Sequence, residues 1–228
     1  MSMHRIDAPL SRRGLLVVSL PRNDPALAQA AIDGGADLLK VHVNVHHRAA
    51  GTVFGSLHEE MDRLNAILEL GLPTGLVPGE ERMVTPGELP LLRRFAFLDA
   101  YLTHLPMFLY AVGVPVVPAI PHDYPMEALT FLRALPGQWA EAALVPPEGY
   151  GHPPAEEDFA ALARAGEASG RRLMVPTQRR IRPEVLERYF ALPAVWAVMI
   201  GVVVTGADPS GIRSATQAFR RRLERIFT

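Results

Sequence analysis

Short apolar runs rich in β-branched residues alternate along the chain with longer segments whose apolar positions recur every three to four residues. "LLVVSL" (15–20) precedes "DPALAQAAIDGGA", where Asp24 is placed to cap a helix that Pro25 opens. "LLKVHVNV" (38–45) precedes "SLHEEMDRLNAILELG", with Ser56 and Glu59 at capping-box spacing. "PTGLVP" (73–78) precedes "TPGELPLLRRF", where Thr85 and Glu88 repeat that spacing. "FAFLDAYLT" (95–103) precedes a short segment, "PMFLYAVG", and "VPVVPAI" (114–120) precedes "PMEALTFLRALPG". "AEAALVP" (140–146), "RLMVPT" (172–177) and "AVWAVMIGVVV" (194–204) are each followed by a helical pattern: "AEEDFAALARAGEASG", "RPEVLERYFAL" and "DPSGIRSATQAFRRRLERI".

This makes eight strand-then-helix units in 228 residues. Strand alternating with helix implies parallel pairing through right-handed crossovers. Eight such units of about 28 residues fit a closed (β/α)8 barrel of the TIM type, an α/β fold, as one domain over residues 1–228. The first unit has no glycine-rich dinucleotide fingerprint, which argues against an open doubly wound sheet. The fourth unit is the weakest, because its helical segment is short and holds Pro106.

Composition narrows the function. Hydrophobic residues make up 49%, and the formal net charge is −1. Nothing basic suggests nucleic acid. No apolar run reaches the ~20 residues of a membrane helix, and residues 1–14 carry no apolar leader core, so a soluble cytoplasmic protein is expected. The absence of cysteine removes disulfides and thiolate metal sites. Arginine is the general cation here: of 23 Lys and Arg, one is lysine, Lys40.

Lys40 sits in "KVHVNVH". Val41, Val43 and Val45 share one strand phase and suit the layer beneath the helices. Lys40, His42, Asn44 and His46 share the other, which faces the barrel interior and its carboxyl-terminal mouth. A buried unpaired ammonium costs roughly several kcal/mol, so it persists when paired or useful. Unlike arginine, lysine can lose its proton and act as a base or imine-forming nucleophile. The structural alternative is an ion pair with an interior carboxylate such as Asp99.

The same phase argument brings other residues to the mouth: Glu80 and Glu81 after the third strand, Asp99, Tyr101, Thr103 and His104 on the fourth, and His122 and Asp123 after the fifth. Glu148, Tyr150 and His152 follow the sixth, Thr177, Gln178, Arg179 and Arg180 the seventh, and Gly201, Thr205 and Gly206 the eighth. Histidines come from several strands, but His42 and His46 are two pleats apart, about 13 Å, too far to share an ion. No metal and no cofactor is expected. "IGVVVTGADPSGI" places Gly201, Thr205 and Gly206 where barrels of this type hold phosphate, with Thr177 on the neighbouring strand end.

These segments resemble the ribulose-phosphate-binding barrels, most nearly the N-acetylmannosamine-6-phosphate 2-epimerase family. The eighth unit, "IGVVVTGADPSGI", is similar to that family's glycine-containing strand, threonine and proline-started helix. "FLDA" is similar to its "ALDA", "VPTQRRIRPE" to a segment of acid, Gly, Arg, Ile, then Pro-Glu, and Asn44 of "VHVN" matches its asparagine. The family's catalytic lysine follows strand 3, where this chain reads "GLVPGEE", and its strand-7 carboxylate falls on Gln178. The resemblance implies the barrel and a phosphate pocket, but not the epimerase reaction.

The expectation is an enzyme acting on a small phosphorylated metabolite, an isomerase or epimerase or an aldolase-type lyase. Lys40, His42, Asp99 and Glu148 are the candidate catalytic residues. Asn44, His122 and Gln178 are candidates for substrate binding, and Thr177, Gly201, Thr205 and Gly206 for phosphate binding. The alternative is a non-catalytic barrel that binds a phosphorylated ligand as sensor or scaffold. No nucleic-acid or membrane partner is expected, and the chain acts alone or as a homodimer.

Overall fold

A computed structural model describes residues 10–227, so most of the amino-terminal segment read above lies outside the described residues. Eight parallel strands close into one barrel: β1 Leu15–Ser19, β2 Leu38–His42, β3 Thr74–Val77, β4 Leu98–Tyr101, β5 Val116–Pro121, β6 Trp139–Ala143, β7 Arg172–Pro176 and β8 Val195–Ile200. Each strand pairs with its sequence neighbour. β8 returns to β1, with Val18 opposite Ile200. Across the β1–β2 seam Ser19 lies opposite Lys40.

The two-residue period of the strands divides the core into two layers. Outward residues such as Val18, Leu39, Val41, Leu76, Leu98 and Ile120 pack against the helices. The lower interior is filled by Leu10, Leu15, Val17, Leu38, Phe97, Val117, Trp139, Met174 and Ala197. Gly75 fits here because Phe97 occupies its side-chain space, and a Cβ at 75 would overlap the Phe97 ring. Above this plug the inward positions become polar.

The helices start where the caps predict. In α1, Pro25–Asp33, the Asp24 carboxylate accepts from the Ala26 N–H at 2.9 Å. In α2, Leu57–Glu69, Ser56 and Glu59 form the reciprocal capping box. Four more helices are α3 Leu89–Leu92, α4 Glu156–Ser169, α5 Leu186–Ala191 and α6 Val202–Thr205, and α7 Pro209–Phe227 closes the ring. The fifth unit departs from the expected α-helix: Met126–Ala134 is a 3-10 helix. Its apolar positions, Met126, Leu129, Leu132 and Leu135, recur every third residue, the repeat of a 3-10 turn. The fourth unit, Met107–Val112, is also 3-10. Among the described residues no helix is long and apolar enough to cross a membrane.

The second strand is shorter than the alternating pattern suggests. Asn44 takes a left-handed conformation, φ 55°, and turns the chain out of the sheet. Its N–H donates to Gly55 C=O at 2.7 Å, closing a loop that contains a small antiparallel hairpin, His46–His47 against Thr52–Val53. That hairpin stands over the barrel mouth.

Candidate active site

The strand ends open onto a cavity of about 290 Å³. Its floor is a charged layer. Lys40, 6% exposed, donates from Nζ to Glu141 Oε2 at 2.6 Å and to Asp99 Oδ2 at 3.1 Å. These three side chains come from β2, β4 and β6, alternate strands, which is how interior layers of such barrels are built. Asp99 and Glu141 are also almost fully buried.

The proton distribution follows from burial and pairing. Burial alone would strip the proton from Lys40, but Asp99 and Glu141 outweigh it and hold Lys40 above the ordinary lysine range. Burial and the neighbouring Glu141 raise Asp99 well above a normal carboxylic acid. Glu141 also suffers from burial, but the ammonium and hydrogen bonds with Lys40 and Asp99 keep it below its usual value. The layer therefore pairs a Lys40 ammonium with a Glu141 carboxylate, and Asp99 is the carboxyl group that holds its proton more tightly. Pairing of the two charges offsets part of the cost of burying them.

One pleat above Lys40, His42 is buried with its ring 4.9 Å from Phe54 and 5.0 Å, edge-on, from His47. Burial, then His47 and Lys40, push it well below the ordinary histidine pKa, so it is neutral. Its Nδ1 has no partner among the described residues. His47 accepts from the Ala50 N–H at Nδ1, 3.2 Å, which leaves Nε2 as its donor in the neutral form. Five of the chain's eight histidines, His42, His46, His47, His104 and His122, line this one cavity. Among the described residues no group of three or more His, Asp or Glu is arranged to hold a metal ion.

On the far wall Gln178 is clamped at both ends of its amide. Oε1 accepts from Val145 N–H at 3.1 Å, and Nε2 donates to the Tyr150 hydroxyl at 2.7 Å. Thr177 Oγ1 accepts from Gly201 N–H at 2.9 Å, tying the ends of β7 and β8. The first turn of α6 follows, and Gly201, Val202 and Val203 line the cavity beside Ser19 and Thr177.

Of the residues expected from the sequence, Lys40, His42, Asp99, His122, Thr177, Gln178 and Gly201 line this cavity. Four do not. Glu148 is exposed on the turn Pro147–Gly149, outside the cavity lining, because the Pro-rich loop after β6 carries it away while bringing in Pro147 and Tyr150. Asn44 has left the strand, and its Nδ2 donates to Pro78 C=O at 3.3 Å. Thr205 is buried with its hydroxyl donating to Gly206 C=O at 2.8 Å, and Gly206, φ 66°, turns the chain into α7 beyond the mouth. Arg179 is likewise committed, paired in two-point fashion with Asp158 at 2.9 and 3.0 Å.

Glu141 is the main residue that strand-end reasoning missed. It lies mid-strand in "WAEAALV", yet the alternation of Trp139, Glu141 and Ala143 against Ala140 and Ala142 marks it as inward. The hairpin also adds His47 and Arg48, which strand phases do not reach.

No protein-family model and no curated protein matches the chain. Solved structures do. Phosphoribosyl anthranilate isomerase from Thermus thermophilus superposes with a TM-score of 0.64 at 21% identity, covering 93% of this chain and 99% of that one. KGPDC from Streptococcus mutans, in complex with D-R5P, gives 0.65 at 14% identity over 93% and 98%. Tryptophan synthase from M. tuberculosis gives 0.67 at 15% identity over 96% of each chain. These likenesses show the fold, a closed (β/α)8 barrel of the TIM type.

Proposed function

We propose that this protein is an enzyme that moves a proton at a carbon next to the carbonyl of a small phosphorylated metabolite, as an isomerase or epimerase or in an aldolase-type cleavage. The observation that carries the reading is the buried Lys40–Asp99–Glu141 layer at the cavity floor. It offers three roles at once. Glu141, ionised, is a base. Lys40, held as a cation, stabilises an enolate oxygen as charge develops. Asp99, neutral, returns a proton to the intermediate.

An imine route through Lys40 needs the neutral amine, and two carboxyl groups within hydrogen-bond reach oppose it. Lys40 therefore acts through its charge. The phosphate lies against the backbone of Val202 and Val203, with the Ser19 and Thr177 hydroxyls beside it, where the first amides of a helical turn are free to bind an anion, while the Gly201 N–H is held by Thr177. The neighbours support this reading by name: one acts on a phosphoribosyl compound, and another was solved with D-R5P. The sequence segments similar to N-acetylmannosamine-6-phosphate 2-epimerase support a sugar phosphate, although the lysine stands on a different strand.

The test is solvent exchange. Phosphorylated ketoses and aldoses that raise the melting temperature are incubated with the protein in D2O, and deuterium entry next to the carbonyl is followed by NMR. Exchange by the wild type, lost by about 10²–10⁴-fold in Glu141→Gln, is expected. Binding with no exchange and no turnover makes the barrel a binding protein instead.

A further inference from the structure

In a parallel ladder the N–H and C=O of one residue point to the same neighbouring strand, and successive residues alternate. Lys40 C=O accepts from Leu20 N–H on the β1 side at 2.9 Å, while Val43 N–H donates to Val77 C=O on the β3 side at 3.0 Å. His42 belongs with Lys40 and faces β1, but β1 has ended at Ser19. The missing strand is replaced by one side chain. Asn23, 4% exposed, accepts from His42 N–H at Oδ1, 3.3 Å, and donates from Nδ2 to His42 C=O at 2.7 Å.

The same Nδ2 donates to Glu60 Oε2 at 3.1 Å. Glu60, buried in the first turns of α2, accepts with its other oxygen from Gly55 N–H at 3.2 Å, where the hairpin loop closes. Asn23 and Glu60 thus join the loop after β1, the last residue of β2, the hairpin exit and α2. Phe54, next to Gly55, covers the His42 ring.

We propose that Asn23, held by Glu60, is a positioning residue: it completes the β1–β2 seam at the mouth and so keeps the His42 imidazole packed and dry between Phe54 and His47 beside Lys40. This rests on the reading of the cavity as an active site. The titratable groups that act on His42 are Lys40 on its own strand and His47 on the hairpin. Asn23 faces its backbone from the β1 loop, and Phe54 carries no charge.

The experiment is an NMR titration of the imidazoles in the wild type, Asn23→Ala and Glu60→Gln, with melting curves alongside. In the wild type His42 titrates well below the ordinary histidine range. In Asn23→Ala the seam opens, water reaches the ring, and its titration moves up towards the ordinary ~6.5. Glu60→Gln, the milder change, shifts His42 in the same direction by less, and it carries the test if Asn23→Ala does not fold. A lower melting temperature with an unmoved His42 titration overturns the proposal and leaves Asn23 a plain seam residue. This readout needs no substrate, so it stands apart from the reaction. A Glu141→Gln variant that keeps full activity sinks the proposed chemistry without touching the titration.

Discussion

Replacing Lys40 by methionine keeps much of the side-chain volume and removes the ammonium. Glu141 and Asp99 are then left together in a site where both are nearly dry. Removing one partner of a buried ion pair costs about 3–5 kcal/mol. With an unfolding entropy of about 2.1 cal/mol/K per residue, the whole chain loses about 2 °C of melting temperature per kcal/mol, so the deficit is roughly 6–10 °C. Its pH dependence has a definite sign. Without Lys40, Glu141 joins Asp99 in holding a proton more tightly folded than unfolded. The folded state then binds more protons above the ordinary carboxyl range near 4, so stability falls as pH rises through the folded values. In the wild type Glu141 is depressed, so its contribution is present above about 4.3 and lost as pH falls through the folded value. The Lys40 contribution is complete below about 10.4 and disappears only as pH rises past its elevated folded value. The two melting curves therefore converge on acidification and separate at pH 8. Calorimetry at about pH 4.5 and 8 reads this directly. Adding Glu141→Gln to Lys40→Met recovers most of the loss at pH 8, because Asp99 and the new amide are both neutral. A Lys40→Met protein melting within about 2 °C of the wild type at pH 8, or a gap that does not narrow in acid, refutes the account of the charged layer.

Gly75→Ala pushes a methyl into the Phe97 ring and is expected to cost about 1–3 kcal/mol by denaturant unfolding, with Phe97→Leu in the same chain restoring part of it. Inorganic phosphate at about 100 times its dissociation constant is expected to stabilise the wild type by about 2.7 kcal/mol. Gly201→Ala, whose Cβ would meet Ser19 at 3.7 Å without overlap, folds but shows a smaller phosphate shift. An unchanged shift places the anion elsewhere.

The order of units, the helix caps at Asp24 and Ser56, and the inward phase of Lys40, His42 and Asp99 were legible in the chain, because each depends on a local period or a neighbour three residues away. The 3-10 form of the fifth segment shows in the sequence only as a three-residue apolar spacing, which lies close to the helical period. The site was legible only at strand phases. Glu141 is 101 positions from Lys40, and only closure of the barrel sets them 2.6 Å apart. That contact also sets the charge of the lysine: in the sequence a lone lysine is equally a base or a cation, and two carboxyl groups across the interior make it hold its proton more tightly. The fates of Asn44 and Glu148 were set by loop conformation, which carries no period to read. Asn23 meets His42 because β1 stops two residues short of the position opposite it, a mismatch of strand lengths that exists only once the strands are paired. Local periodicity wrote the barrel and pointed side chains inward, and tertiary closure determined which charges meet there.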